Sequence, residues 1–450
     1  MIKKLLGSLR EYKIYAILTM LSMVFEVAME VTIPLIIFEF GKCVSPGEGA
    51  APDVNGMILY GFIMVGAAIV SLIAGMLGGK FCASASAGFA KNLRRDMFEN
   101  VQKFSFSNID KFSSSSLVTR LTTDITNVQF AFMMLIRTAI RSPLMLIFSI
   151  VMSFFVSSTL PVIFFVTVPF LGFGIAMISY KAMPIFRRLF KRYDAMNESV
   201  QENIKGMRVV KAYVREDYES EKFAAVSNDL AKDFTKAERI LAFNSPIMQI
   251  CVQGALIALA YFGSRIVLFG NGELDAFGLQ SLTTYSFQIL MALMMISMVF
   301  VMLVMSVESA RRIVEVLDEK SDLANPANPV TQIKNGDVEF DNVSFKYSPE
   351  AEKFSLEGVN LKIKSGQTVG ILGGTGSSKT TLVNLISRLY DVTEGSVKVG
   401  DVDVRDYDME VLRKSVAVVL QKNMLFQGTI KENLRWGNEN ATDEQLVEVC

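Results

Sequence analysis

Val369-Gly370-Ile371-Leu372-Gly373-Gly374-Thr375-Gly376-Ser377-Ser378-Lys379-Thr380-Thr381 is the stretch on which the reading of this chain turns. The apolar run Thr368 to Leu372 reads as a buried strand, and Lys379-Thr380 open a helical pattern carried by Leu382, Ile386 and Leu389. Strand, glycine-rich turn and helix start form the context that a phosphate-binding loop requires. Glycines let backbone N–H groups close around an anion, and the helix N-terminus adds orphan donors and the positive end of its dipole. Lys379 is placed to reach the β and γ phosphates, and the Thr380 hydroxyl to ligate Mg²⁺. Ser378 stands where the second glycine of G-x-x-x-x-G-K-[ST] belongs. A Gly/Ser-rich turn that merely precedes a lysine is the plain alternative, and the flanking strand and helix patterns argue against it.

The 450 residues suffice for two or three domains. Apolar residues make up 51% and charged ones only 20%, below the usual quarter for soluble proteins. Lys plus Arg and Asp plus Glu balance at 45 each, so charge gives no argument for nucleic acid. Cys43, Cys82, Cys251 and Cys450 show no paired spacing that would suggest a zinc site or a disulfide framework. The chain has no histidine, so it offers neither a histidine general base nor a His-held metal. The N-terminal apolar run is too long for a cleavable signal and lacks a small-residue cleavage site.

Six stretches are apolar and long enough to cross about 30 Å of hydrocarbon as helices. They run near Ile14–Phe40, Met57–Gly79, Phe130–Val156, Pro161–Tyr180, Leu241–Phe269 and Ser281–Met305. A soluble, fully buried bundle would not need so many long spans with so little charge. Lys3, Lys4, Arg10 and Lys13 precede the first span, whereas Cys43–Asn55, Ser157–Pro161 and Gly270–Gly278 carry no Lys or Arg. Lys91, Arg94 and Arg95, then Lys181, Arg187, Arg188, Lys191 and Arg192, flank the opposite ends. The positive-inside rule puts both termini in the cytoplasm. The inside connections, Lys80 to Asn127 and Lys181 to Arg239, are long and helix-compatible. Half of either covers roughly 35 Å as helix, so spans two to five are expected to continue inward and turn near Phe106–Ser116 and Ala212–Glu219.

Charges within spans are costly and usually functional or paired. Glu26 and Glu30 lie one turn apart on the first span, Arg137 and Arg141 one turn apart on the third. Pairing across the bundle, carboxylates facing a cavity for cationic substrates, and shallow depth at the interface are three open readings. The sixth span carries Met291, Met294, Met295, Met298, Met302 and Met305 close to one face. Such adaptable side chains suit either a broad apolar cavity or ordinary packing.

Hydrophobicity falls after Met305, and Ser321–Val330, with two Asn-Pro steps, reads as a linker. Strand-like runs follow at Val338–Phe340, Val343–Tyr347, Val359–Ile363, Val397–Val399 and Val416–Leu420, with Gln421 directly after the last. The expected layout is a six-span all-α membrane domain over 1–320, a linker over 321–335 and part of an α/β P-loop nucleotide-binding domain over 336–450.

These landmarks, taken in order, resemble the ABC exporters over essentially the whole chain, most closely one subunit of bacterial heterodimeric multidrug exporters. Val343–Tyr347 (VSFKY) is similar to that family's adenine-stacking segment, with Tyr347 as the stacking aromatic. Gly373, Gly374, Thr375, Gly376, Ser377, Ser378, Lys379, Thr380 and Thr381 match its Walker A loop. Gln421 matches the Q-loop glutamine, which the resemblance implies contacts Mg²⁺ and attacking water, and Leu425–Leu434 (LFQGTIKENL) matches the segment after it. Ser107–Asp124 and Glu202–Glu216 match the two intracellular loops that carry coupling helices. The resemblance implies ATP and Mg²⁺ as ligands, with Lys379 and Gln421 in catalytic roles and Thr380 and Gln421 on the metal. It implies a bacterial inner-membrane location and a second half-transporter subunit as partner, heterodimeric or identical. The implied cargo is amphipathic drugs or lipids.

A small residue at 378 is expected to preserve the phosphate cradle. The family's signature motif, Walker B strand, catalytic glutamate and switch histidine would fall beyond Cys450. The chain therefore reads as a truncated product that offers a nucleotide half-site and does not hydrolyse ATP alone. A nucleotide-gated or regulatory membrane protein is the rival function. An importer is disfavoured because membrane and nucleotide domains share one chain.

Overall fold

The computed structural model describes residues 1–44, 51–269, 274–348, 350–419 and 424–450, without the side chains at 179, 186, 187, 190, 191, 194, 195, 197 and 198. Along the chain, α1 (Ile2–Gly7) leads through a short 3₁₀ turn into α2 (Lys13–Val44), followed by α3 (Val54–Val101), α4 (Phe106–Phe112) and α5 (Ser114–Thr119). Next come α6 (Ile125–Ile136), α7 (Thr138–Val156), α8 (Val162–Ala212), α9 (Glu216–Ala242), α10 (Asn244–Phe269) and α11 (Ala276–Asp318). The remainder comprises β1 (Val338–Phe345), β2 (Leu356–Ile363), α12 (Lys379–Ile386), β3 (Glu394–Val399), β4 (Val402–Asp403), α13 (Met409–Ser415), α14 (Ile430–Leu434) and α15 (Asp443–Val449). Two compact units result: Met1–Glu99 with Val118–Asp318, and Asn100–Leu117 with Glu319–Cys450.

The first unit is all-α and contains six helical stretches long and apolar enough to span a membrane. Apolar residues surround these helices on every side, as expected where lipid and protein both offer hydrocarbon. At 51 residues, α8 extends roughly 75 Å, more than twice the thickness of a bilayer core. The chain reverses between α8 and α9 at Tyr213–Arg215, where Val214 takes φ 51°. A core of Val27, Val31, Phe38, Met145, Phe164, Leu259, Leu282, Tyr285 and Ile289 joins α2, α7, α8, α10 and α11. The buried Tyr285 hydroxyl donates to the Val31 carbonyl at 2.8 Å, so its polar end is satisfied inside the bundle.

Of the intramembrane charges, Arg141 pairs with both glutamates across the bundle. Its Nη2 lies 2.6 Å from Glu30 Oε2 and 3.4 Å from Glu26 Oε1. Arg137 sits at the junction of α6 and α7 and is exposed.

A second charged cluster follows the π-turn Arg120–Asp124 between α5 and α6. Asp124 is fully buried and accepts from Ser309 Oγ at 2.9 Å and Arg312 Nε at 2.8 Å, while Arg120 Nη1 donates to the Arg312 carbonyl and Glu315. Such π-turns widen the helix locally and often mark functional sites. Asp124→Ala removes a charged acceptor that several donors share. It is expected to cost about 2 kcal/mol, less than a fully stranded charge, because the Arg312 side chain is 42% exposed and can turn to water. Thermal unfolding of the detergent-solubilised variant checks this, and an unchanged midpoint would refute it.

In the second unit the sheet order is β2-β1-β3-β4, with every pairing antiparallel. The runs Val338–Phe340 and Val343–Tyr347, separate in the sequence reading, belong largely to one strand, β1, interrupted by an irregularity at Asp341-Asn342. Asn342 takes φ 49° there, and a Cβ on Gly395 (φ 83°) would lie 2.3 Å from the Asn342 carbonyl oxygen, so only glycine fits opposite the bulge. Phe340, Val343, Phe345, Leu385, Val397, Val399, Val404, Tyr407 and Leu412 form the core, with α12 packed on it through Leu385.

Two expected strands need correction. Neither 368–372 nor 416–419 joins the sheet, and Leu372 and Val419 are 96% and 90% exposed. A parallel strand is defined by neighbours on both edges and cover on both faces, and these runs have no ladder partner among the described residues. The linker reading also sharpens, since the segment is fastened rather than loose. Val330 bridges Tyr407, Asn325 caps α13 by accepting from the Met409 N–H, and Arg388 donates to the Ala324 carbonyl.

Candidate nucleotide site

The phosphate-loop candidate comes after the irregular segment 364–372 that follows β2, runs through Gly373–Ser378 and enters α12 at Lys379. Gly376 and Ser378 both take left-handed conformations, φ 85° and 59°. Alternating backbone handedness turns successive N–H groups toward one side and forms an anion-binding nest. Glycine adopts this shape freely, whereas serine incurs a penalty of about 1 kcal/mol. The small residue at 378 thus keeps the expected turn, at the cost of strain that a glycine would not carry.

Lys379 folds its ammonium over the loop, donating to the Gly373 carbonyl at 2.8 Å, the Gly374 carbonyl at 2.7 Å and Ser377 Oγ at 3.1 Å. Thr380 is exposed at the first turn of α12. Thr381 is buried, and its hydroxyl lies 2.8 Å from the Tyr347 hydroxyl. The aromatic and the loop, 34 residues apart in sequence, are therefore joined directly. Tyr347 stands edge-on to Phe345 (4.9 Å between centroids) and to Tyr390 (5.3 Å), while half its surface stays open.

Gln421 lies outside the described residues. Beyond it, α14 starts with a capping box: Thr429 Oγ1 accepts from the Glu432 N–H while Glu432 Oε2 accepts from the Thr429 N–H. These bonds hold the Glu432 carboxyl below its usual range.

Tyr390 is the site-adjacent residue the sequence reading missed. Its hydroxyl donates to Asp110 Oδ2 at 2.8 Å, and its ring meets Phe106 at 5.9 Å, both on α4. Burial first, and then the hydrogen bond and charge of Asp110, push the phenol well up, so it remains a donor across the physiological range. No local pattern marks this residue; it follows α12 as one aromatic among many. Helix α4 is held in this unit by further polar contacts. Asn108 Nδ2 donates to Glu319 Oε1 at 2.9 Å, Ser107 Oγ to Asp322 at 2.6 Å and Lys111 Nζ to Glu319 at 2.8 Å.

The residues present fit a nucleoside triphosphate. They supply an ammonium, a nest of N–H groups, a helix N-terminus and a half-open aromatic ring. Among the described residues there is no cluster of acidic, cysteine or histidine side chains to cage a metal. A Mg²⁺ ion held mainly by phosphate oxygens and one hydroxyl needs no such cage.

Fold and site together define a multi-pass membrane protein with a phosphate-loop domain on the same chain. Residues 16–294 match the ABC transporter transmembrane region and residues 356–449 the ABC transporter ATP-binding domain, so the chain belongs to the ABC transporter family, with the exporter half-transporter arrangement. It is 32% identical to an uncharacterized ABC transporter ATP-binding protein of Bacillus subtilis, YfiB, over 448 residues, which cover 100% of this chain and 77% of that one. Another uncharacterized ABC transporter ATP-binding protein, from Mycobacterium tuberculosis, is 32% identical over 89% of this chain and 69% of its own length. An ATP-dependent lipid A-core flippase of Desulfotalea psychrophila is 28% identical over 74% of this chain and 57% of its own length.

Proposed function

We propose that this chain is one subunit of an ATP-driven exporter that moves amphipathic small molecules or lipids out of a bacterial cytoplasm by alternating access. The observation that carries the reading is the Tyr347–Thr381 hydrogen bond. It joins an open aromatic face to the triphosphate loop, on a chain that also holds six spans. In this reading residues 1–320 are the membrane domain, 321–335 the linker and 336–450 the nucleotide-binding domain, with both termini cytoplasmic.

The chain's own residues divide the work as follows. Tyr347 stacks on adenine. The N–H groups of Gly373–Ser378 and the Lys379 ammonium hold the β and γ phosphates, where fixed positive charge favours phosphoryl transfer. Thr380 and Gln421 would hold Mg²⁺, which neutralises phosphate charge when bound. Thr381 orients Tyr347 in addition to flanking the loop. A second half-transporter subunit, distinct in the heterodimeric version, completes the ATP site.

In this reading the cargo path lies beside the methionine face. A groove of about 950 Å³ between α8 and α11 is lined by Ile175, Pro184, Leu293, Ile296 and Phe300, not by the exposed Met291, Met295, Met298 and Met305. Its apolar walls suit the hydrophobic part of an amphiphile. The lipid flippase relative is compatible with such cargo.

Reconstitution of the protein with its partner subunit in proteoliposomes tests the reading. Vanadate-sensitive ATPase activity stimulated by amphipathic compounds is expected. ATP binding without turnover or stimulation would instead identify a nucleotide-gated or regulatory membrane protein.

A further inference from the structure

We propose that Tyr390 is a positioning residue through which helix α4 sets the orientation of Tyr347, so that adenine recognition and the α4 loop are energetically coupled. The inference rests on the reading of Tyr347 as the adenine-stacking aromatic. Three contacts fix the Tyr347 ring. Phe345 meets it edge-on at 4.9 Å, Thr381 holds its hydroxyl at 2.8 Å, and Tyr390 meets it at 5.3 Å with an interplanar angle of 88°. The first two belong to β1 and α12, which are built into the core of this unit. Tyr390 differs, because its other contacts lead to α4: the ring to Phe106 and the hydroxyl to Asp110.

Helix α4 itself lies in a loop whose flanking segments, through α3 and α5, belong by chain connection to the spanning helices. A displacement of α4 therefore moves the aromatic edge against which Tyr347 rests. A stacking ring must present its face to the base, so a freed Tyr347 loses affinity for adenine but not for phosphate. Coupling of this kind is reciprocal: whatever α4 does to adenine binding, adenine binding does to α4. The Tyr390 phenol keeps its proton beside Asp110, so the link is not undone by pH near neutrality.

The separable quantity is the base-dependent part of affinity. In the full chain in detergent with Mg²⁺, displacement of a fluorescent ATP analogue by ATP and by inorganic tripolyphosphate gives two constants, and their ratio isolates the adenine contribution. Tyr390→Ala is expected to weaken ATP about fivefold with tripolyphosphate unchanged, the range of one aromatic pair. Phe106→Ala, on α4 and outside the loop, is expected to lower the same ratio about threefold. That effect should vanish in the Tyr390→Ala background. Tyr390→Phe keeps the ring and should hold the ratio near the parent value, while abolishing the smaller effect of Asp110→Asn. A ratio unmoved by Phe106→Ala, or Phe106 and Tyr390 effects that simply add, would overturn the inference. Tyr347→Ala separates the two levels. If it leaves the ratio intact, the adenine assignment itself fails; if it collapses the ratio while Tyr390→Ala does not, only the coupling fails. Equal loss of ATP and tripolyphosphate binding in Tyr390→Ala would mark a merely structural role and also overturn it.

Discussion

Lys379→Ala is expected to weaken binding of Mg·ATP by about 30-fold, on the scale of charge-assisted hydrogen bonds worth roughly 2 kcal/mol. The loop geometry explains why one side chain carries so much. An ammonium has three donors and no acceptor, and here they are matched to the Gly373 and Gly374 carbonyls and Ser377 Oγ. The positive charge is thus placed over the loop before any anion arrives, with little side-chain entropy left to lose. Its removal subtracts that charge and also uncovers two carbonyl dipoles whose negative ends face the phosphate cradle. Lys379→Arg should restore only part of the affinity, because a planar guanidinium presents a fork rather than a compact tripod. Titration with ATP and with tripolyphosphate should show both weakened together, the opposite of the base-selective loss expected around Tyr347. The helix start is not at risk, since the Lys379 side chain is only half-buried and α12 is anchored by Leu385. Binding of ATP by Lys379→Ala within a few-fold of the parent would remove the loop from the proposed site.

How much of this was legible beforehand follows a physical division. Spans were legible because length and apolarity alone satisfy the bilayer, and the phosphate loop because its chemistry needs glycines beside a lysine in a fixed order. Relational properties were not. The run Thr368–Leu372 has the composition of a strand, but strand identity is a property of its neighbours, and none pairs with it among the described residues. Arg141 and its carboxylates were visible as expensive residues, yet 111 positions separate Arg141 from Glu30, and only packing of α2 on α7 brings them together. Asp124, fully buried, looked like one more polar residue of a long inside connection. Tyr390 had no signature, since its role arises from touching Phe106 and Asp110, some 280 residues earlier. The methionine face was real as a pattern, but the groove follows the positions beside it, Leu293, Ile296 and Phe300.

Arg141→Met is the substitution expected to damage the membrane unit most. One guanidinium serves two carboxylates, with Glu30 at 2.6 Å and Glu26 at 3.4 Å. Glu26 Oε2 and Arg141 Nε are already buried without a hydrogen-bond partner among the described residues, so the cluster has no reserve of other donors. Gly75 faces the Glu26 carboxylate, and a Cβ there would make ordinary contact with it at 3.4 Å. Methionine fills much of the volume of arginine and leaves two like charges one turn apart within a span. The Arg141 and Glu30 side chains are 38% and 34% exposed and only Glu26 is well buried. Breaking the pair from one side therefore costs about 3 kcal/mol, the lower end for buried pairs, where a membrane segment gives the carboxylates little water. A fall in the unfolding midpoint on the order of 5 °C is expected for the detergent-solubilised protein, with loss of monodisperse material. The decisive comparison is Glu26→Gln/Glu30→Gln/Arg141→Met. If charge imbalance is the cause, this triple variant recovers most of the midpoint, because neutral amides need no counter-ion. Equal destabilisation of the single and triple variants would assign the loss to packing, and a parental midpoint for Arg141→Met would mean that water reaches the cluster and the pair contributes little.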